Sequence, residues 1–136
     1  MKIFVCCSKH LYHKIPIVKE QLEKLGHEIT LPNSYEEPLK EEEIKKLSQK
    51  EHSAWKGAML KKQIVKVMDN DAILVLNFDK NSQKNYIGGA TFLEMFKAWE
   101  LGKKLFLFNE VPDGILRDEI IGFSPIILNG DLSKIK

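Results

Sequence analysis

Short, unbroken apolar runs constrain this chain more than any other feature. The clearest is Asp71-Ala-Ile-Leu-Val-Leu-Asn77, five apolar residues closed at each end by a polar one. A strand with one wet face alternates apolar and polar residues. An uninterrupted run is buried on both faces, which is the situation of a parallel sheet covered by helices on each side. Residues 2–8 (Lys-Ile-Phe-Val-Cys-Cys-Ser) and 103–109 (Lys-Lys-Leu-Phe-Leu-Phe-Asn) repeat the pattern, and shorter runs at 27–31 and 125–129 fit two further strands. Between them the apolar residues switch to helical spacing. Pro16 opens a helix carrying Val18, Leu22 and Leu25, and Gly26 stops it. A long helical pattern covers residues 40–69, with Ile44, Leu47, Trp55, Met59 and Val65 or Met68 as its apolar stripe and a possible break near His52 and Ser53. A helix over 91–101 ends at Gly102, and a short one is expected between Pro112 and Ile121. Five strands alternating with helices, joined by right-handed crossovers, predict a three-layer, doubly wound α/β fold in one domain spanning residues 1–136.

Bulk properties remove several functional classes. Hydrophobic residues make up 43% of the chain, too many for a disordered segment. The net charge is +2, and lysines are interleaved with glutamates, as in Lys40-Glu-Glu-Glu-Ile-Lys-Lys46, so no basic face for a nucleic-acid polymer is expected. Five apolar residues after Met1-Lys2 are too few for a secretory core, and no run reaches membrane-spanning length. The two cysteines, Cys6 and Cys7, are neighbours. They read as buried thiols in a reducing compartment rather than a disulfide, which favours the cytoplasm. No metal-ligand spacing is present, and no metal or organic cofactor is expected.

Open parallel sheets bind ligands beyond the carboxyl ends of their strands. That rule points to residues 8–13, 77–94 and 109–112, and it places Asp71 at the opposite edge. In the first loop, Ser8, Lys9 and His10 are candidates, the cations suited to a phosphate. In the second, Asn77 and Asp79 can either hold a sugar hydroxyl or make a turn. Gly88 and Gly89 allow close backbone approach just before a helix N-terminus. Tyr86 can stack on a base or contact Glu94. Glu94 itself is a single carboxylate among Phe92, Leu93, Met95 and Phe96. Such a group can attack a sugar carbon and split one hard displacement into two. Equally, Thr91-Phe-Leu-Glu94 has the form of a capping box, with Thr91 as N-cap and Glu94 reaching back to it.

Asp71-Ala-Ile-Leu-Val-Leu-Asn77, Tyr86-Ile-Gly-Gly-Ala-Thr-Phe-Leu-Glu94 and Ala98-Trp-Glu-Leu-Gly-Lys-Lys-Leu-Phe-Leu-Phe108 together resemble the core motif of the nucleoside 2-deoxyribosyltransferase-like superfamily, which includes the 2'-deoxynucleoside 5'-monophosphate N-glycosidases. In order and spacing the resemblance extends over nearly the whole chain. It implies a flavodoxin-like sheet of five parallel strands and places Glu94 at the family's nucleophile. It also implies a nucleoside or nucleoside 5'-monophosphate as substrate, held at its 5' end by the Ser8 to His10 loop, and association into homo-oligomers through helices such as that bearing Phe92 and Trp99. Three positions depart from the family pattern. Gln63 stands where many members carry an aspartate, leaving a hydrogen-bonding sugar contact but no acid or base. The first loop keeps Ser8 but not the glycine before it. The spacing from Gly89 to Glu94 is longer than in the characterised enzymes. The alternative expectation is a nucleotide-binding module of the same fold without turnover, in which Glu94 only caps its helix.

Overall fold

The computed structural model describes all residues, Met1–Lys136. Five parallel strands form one sheet: β1 (Lys2–Cys6), β2 (Glu28–Thr30), β3 (Ala72–Val75), β4 (Lys104–Leu107) and β5 (Ile126–Ile127), in the order β2-β1-β3-β4-β5. The helices are α1 (Ile15–Lys24), α2 (Lys40–Lys45), α3 (Gln49–Asp69), α4 (Gly89–Glu100) and α5 (Arg117–Gly122). The result is a three-layer, Rossmann-like α/β fold. β1 and β3 are the central strands, paired from Ile3 with Ala72 to Cys6 with Val75, and the residues of that ladder are almost wholly buried. This is the packing that their unbroken apolar runs require.

The period-2 alternation of the strands divides the core into two layers. Ile3, Val5 and Cys7 face α1 together with Leu74 and Leu76, and the C-terminal residues Leu128, Leu132 and Ile135 complete that side. Phe4 and Cys6 face the opposite way with Ile73 and Val75, against Val67 of α3, Met95 and Ala98 of α4, and Ile120 of α5. Asp71 lies at the amino edge, where its carboxylate accepts the Lys2 backbone N–H at 2.8 Å.

Three expectations need correction. The break in the long helical pattern falls at residues 46–48 rather than near His52. Ser48 adopts an extended backbone and its hydroxyl accepts the Glu51 N–H at 3.0 Å, so it is the N-cap that starts α3. The buried stripe of α3 is also differently phased. Leu47, Val65 and Met68 are exposed, and the buried residues are Gln63 and Val67. Apolar residues lie all round this helix, so periodicity alone does not choose the face. Finally, α4 begins two residues before Thr91. Gly88 is its N-cap, with no side-chain cap, and the Thr91–Glu94 capping box does not form. Thr91 is the third helical residue and Glu94 the sixth, out of reach of the free N–H groups of the first turn.

Candidate active site

α3 runs from the carboxyl edge of the sheet back to the start of β3, so its sheet-facing side has two uses. Low on the helix, Val67 is core. One and two turns higher Gln63 and Met59, and then Trp55, rise past the strand ends and line a cavity of about 260 Å³. The opposite wall is the loop after β1 and the short 3₁₀ helix Lys9–Lys14, contributing Cys7, Ser8 and Tyr12. The first turn of α4, Gly88 to Thr91, forms the floor with Glu94.

Glu94 is 7% exposed and belongs to no salt bridge. Burial lifts its carboxyl from the ordinary value of 4.5 to about 8, against the opposing pull of the neighbouring Cys6 thiol and of the Lys66 and Lys56 ammonium groups. Burial dominates because the low-dielectric layer between α3, α4 and the sheet disfavours the charged form more than two partly hydrated lysines favour it. The same burial, reinforced by Glu94, pushes the Cys7 thiol up to about 12 and raises Cys6 as well, so both thiols remain protonated. Tyr12 is raised for the same reason. His10 is lowered by desolvation and by Lys80 and Lys9 beside it.

At the cavity mouth the charges are organised around Glu41. Its carboxylate meets His52 Nε2 at 2.9 Å, Lys56 Nζ at 3.3 Å and Lys9 Nζ at 3.8 Å. Burial acts to raise Glu41, but hydrogen bonds from His52 and Lys56 and the charges of Lys56 and Lys9 outweigh it and hold the group below its ordinary value. This cluster ties α2 to both α3 and the first loop. Lys80 lies over the Tyr86 ring, 4.4 Å from its centre, and the Tyr86 ring sits against Gly88, where a Cβ would meet the hydroxyl at 3.4 Å.

Of the residues singled out from the sequence, Glu94, Tyr86, Ser8, Lys9, His10, Gln63, Gly88 and Gly89 all line this one cavity. Gln63 also has a structural task, its Nε2 donating to the Ala90 carbonyl at 3.3 Å, which fixes the first turn of α4 against α3. Asn77 and Asp79 lie outside the cavity. Asn77 is fully buried and its amide staples β3 to the end of β4. Nδ2 donates to the carbonyls of Asn109 (3.1 Å) and Glu110 (2.9 Å), and Oδ1 accepts the Asn109 N–H (2.8 Å). Asp79 accepts the Asn85 N–H at 3.0 Å and closes a turn. Sequence reasoning missed Tyr12, Trp55, Met59 and the Glu41 cluster. The spacing of Trp55, Met59 and Gln63, each one helical turn from the next, was the available signal. Glu41 had none, because its partners lie on two other segments, Lys9 in the first loop and His52 and Lys56 on α3.

Comparison with known proteins returns no matching family model, no matching curated protein and no matching solved structure. No helix is long and apolar enough to cross a membrane.

Proposed function

We propose that this protein cleaves or transfers the N-glycosidic bond of a nucleoside or nucleoside 5'-monophosphate, with Glu94 as nucleophile. The carrying observation is a carboxylate buried in an apolar layer, at the carboxyl edge of a parallel sheet, opening on a cavity and engaged neither as a helix cap nor in an ion pair. A structural carboxylate is normally exposed or paired, and one left buried without a salt-bridge partner marks a candidate functional site. In the first step an ionised Glu94 oxygen bonds to the anomeric carbon as the carbon–nitrogen bond breaks, and the departing base takes the electron pair and a proton. In the second, water or an acceptor base displaces Glu94 from that carbon and returns it as a carboxylate. Tyr86 orients Glu94 or the sugar. Ser8, Lys9 and His10 receive the 5' end, where Lys80 adds positive charge.

The motif resemblance to the nucleoside 2-deoxyribosyltransferase-like superfamily supports the same reading. The two unpaired buried thiols suit a reducing, cytoplasmic setting. We further propose that the chain works as a homo-oligomer. Leu93, Phe96 and Trp99 of α4 and Ile64 of α3 form an exposed apolar face on the outside of the site, and faces of this kind mark association surfaces. Sedimentation of wild type and Phe96→Asp tests this, a monomer in both cases removing the idea.

A second reading, a nucleotide-binding module without turnover, is favoured by one fact: a carboxyl titrating near 8 is mostly protonated, and so a poor nucleophile, at neutral pH. One experiment separates the two. Nucleosides and their 5'-monophosphates are incubated with wild type and Glu94→Ala, with and without an acceptor base, and free base is followed by chromatography. Release by wild type alone is expected, and dependence on acceptor divides transferase from hydrolase. Binding without release from any substrate would replace the enzyme reading with the binding module.

A further inference from the structure

Three deeply buried polar side chains line the cavity: Thr91 (3% exposed), Glu94 (7%) and Gln63 (8%). Thr91 and Glu94 stand three residues apart on α4. They are neighbours on one face of the helix, with roughly 5–6 Å between their Cβ atoms. Gln63 comes from α3, and the bond from its Nε2 to the Ala90 carbonyl, 3.3 Å long, anchors it beside the residue that precedes Thr91. That bond uses an amide hydrogen and leaves Oε1 as an acceptor. The Thr91 hydroxyl makes no hydrogen bond within the chain, yet no fully enclosed side-chain oxygen or nitrogen of this protein lacks a partner. The Thr91 oxygen is therefore open to the cavity that the residue lines. Around Glu94 the site thus offers one free hydroxyl and one free amide oxygen, in a region otherwise withdrawn from water.

We propose that these two groups select the sugar: the cavity takes a ribonucleoside in preference to its 2'-deoxy counterpart, with Thr91 donating to the 2'-hydroxyl and Gln63 Oε1 accepting its proton. The inference rests on the reading of Glu94 as nucleophile at a nucleoside's anomeric carbon. A reacting carbon lies about 3–3.5 Å from the attacking oxygen. The 2'-hydroxyl is carried by the adjoining carbon, so it is the first sugar hydroxyl within reach of the helical turn before Glu94. One donor and one acceptor are what a single hydroxyl pairs with. A sugar that fills the cavity displaces water from Thr91 and Gln63 and has to replace those hydrogen bonds. A 2'-hydroxyl does so, whereas a 2'-methylene leaves a buried hydroxyl and a buried amide oxygen unpaired, which costs affinity. The contact also serves the reaction, because hydrogen bonds to this hydroxyl strengthen as positive charge develops on the sugar. The preference runs against the 2-deoxyribosyl chemistry that the motif resemblance implies.

The test is calorimetric binding to the full chain carrying Glu94→Gln, in which turnover is blocked. The probes are adenosine and cytidine, their 2'-deoxy and 3'-deoxy forms, and the 5'-monophosphate of each. The ribo form is expected to bind roughly tenfold or more tighter than the 2'-deoxy form, with the 3'-deoxy form close to it. Adding Thr91→Val, which keeps the side chain's shape, should weaken the ribo form by a similar factor and leave the 2'-deoxy form unchanged, and Thr91→Ser should restore the difference. A merely structural role for Thr91 would weaken all forms together. Equal affinity for ribo and 2'-deoxy forms, or a loss that follows the 3'-hydroxyl instead, would overturn the inference. That comparison needs no change at Thr91, so it decides the matter even where the valine variant does not fold. Ribose-selective binding without base release from the wild-type chain counts against the glycosidic chemistry alone. Base release with ribose-blind binding counts against Thr91 and Gln63 alone, and no binding of any probe removes both readings.

Discussion

Replacing Glu94 by glutamine keeps the side chain's shape and removes its charge, so the variant measures what the buried carboxylate costs the fold. In the unfolded chain Glu94 titrates near its ordinary 4.5, and in the folded protein near 8. The folded pKa is the higher one. The favourable contribution is therefore complete below about pH 4.5 and is lost as pH rises through 8. Between those values the unfolded state releases a proton that the folded state keeps, and the unfolding free energy falls by about 1.4 kcal/mol per pH unit. From pH 5 to pH 8 the loss comes to roughly 3.5 kcal/mol in wild type, and it is absent from the glutamine variant. Every other titrating group is common to both proteins and cancels in the difference. Urea melts of both proteins at pH 5, 6, 7 and 8 read this directly, urea being preferred because it adds no ionic strength. Glu94→Gln is expected to match wild type near pH 5 and to exceed it by about 3 kcal/mol at pH 8. Stability curves that run parallel within about 1 kcal/mol over that range would show that Glu94 is not desolvated, and the argument from its burial would fall.

Two further outcomes follow from the same geometry. If the ionised carboxylate is the nucleophile, kcat/KM for base release climbs about tenfold per unit well below pH 8 and levels off above it, and a rate that falls as pH rises from 6 to 8 would assign the chemistry to a different group. Asn77→Ala removes three hydrogen bonds at a fully buried position and leaves the Asn109 N–H and two carbonyls short of partners. It should cost about 2–4 kcal/mol in a denaturant melt, and a loss below about 0.5 kcal/mol would mean that the β3–β4 staple is already satisfied by water.

The architecture was legible in the sequence wherever burial is two-sided. An unbroken apolar run such as Ala72 to Leu76 has one stable use in a chain of this composition, and the helical segments between such runs could only cover the sheet. Ser48 and Gly88 show where that legibility ends. Both are helix starts, and both were displaced in the reading because several small or polar residues nearby offered comparable caps. Which one is taken depends on where the sheet and the neighbouring helix hold the chain. The phase of α3 was hidden for a related reason: with apolar residues around its whole circumference, only contact with β1, β3 and α4 selects Gln63 and Val67 as the inner face.

Glu94 carries both lessons. Its residue type, its place near the ligand edge and the family-like motif around it were present in the sequence, as was the competing capping box. Tertiary structure removed the capping box, because α4 starts at Gly89 and so carries Glu94 too far along the helix to cap it. It also set the proton affinity of the carboxyl, which depends on the dielectric and charges around it. Those come from Cys6 on β1, from Lys56 and Lys66 on α3, and from the packing of α4 on the sheet. These segments are far apart in the chain and meet only when it folds, so the sequence by itself determined the layers and the candidate, and the fold alone determined its burial and charge.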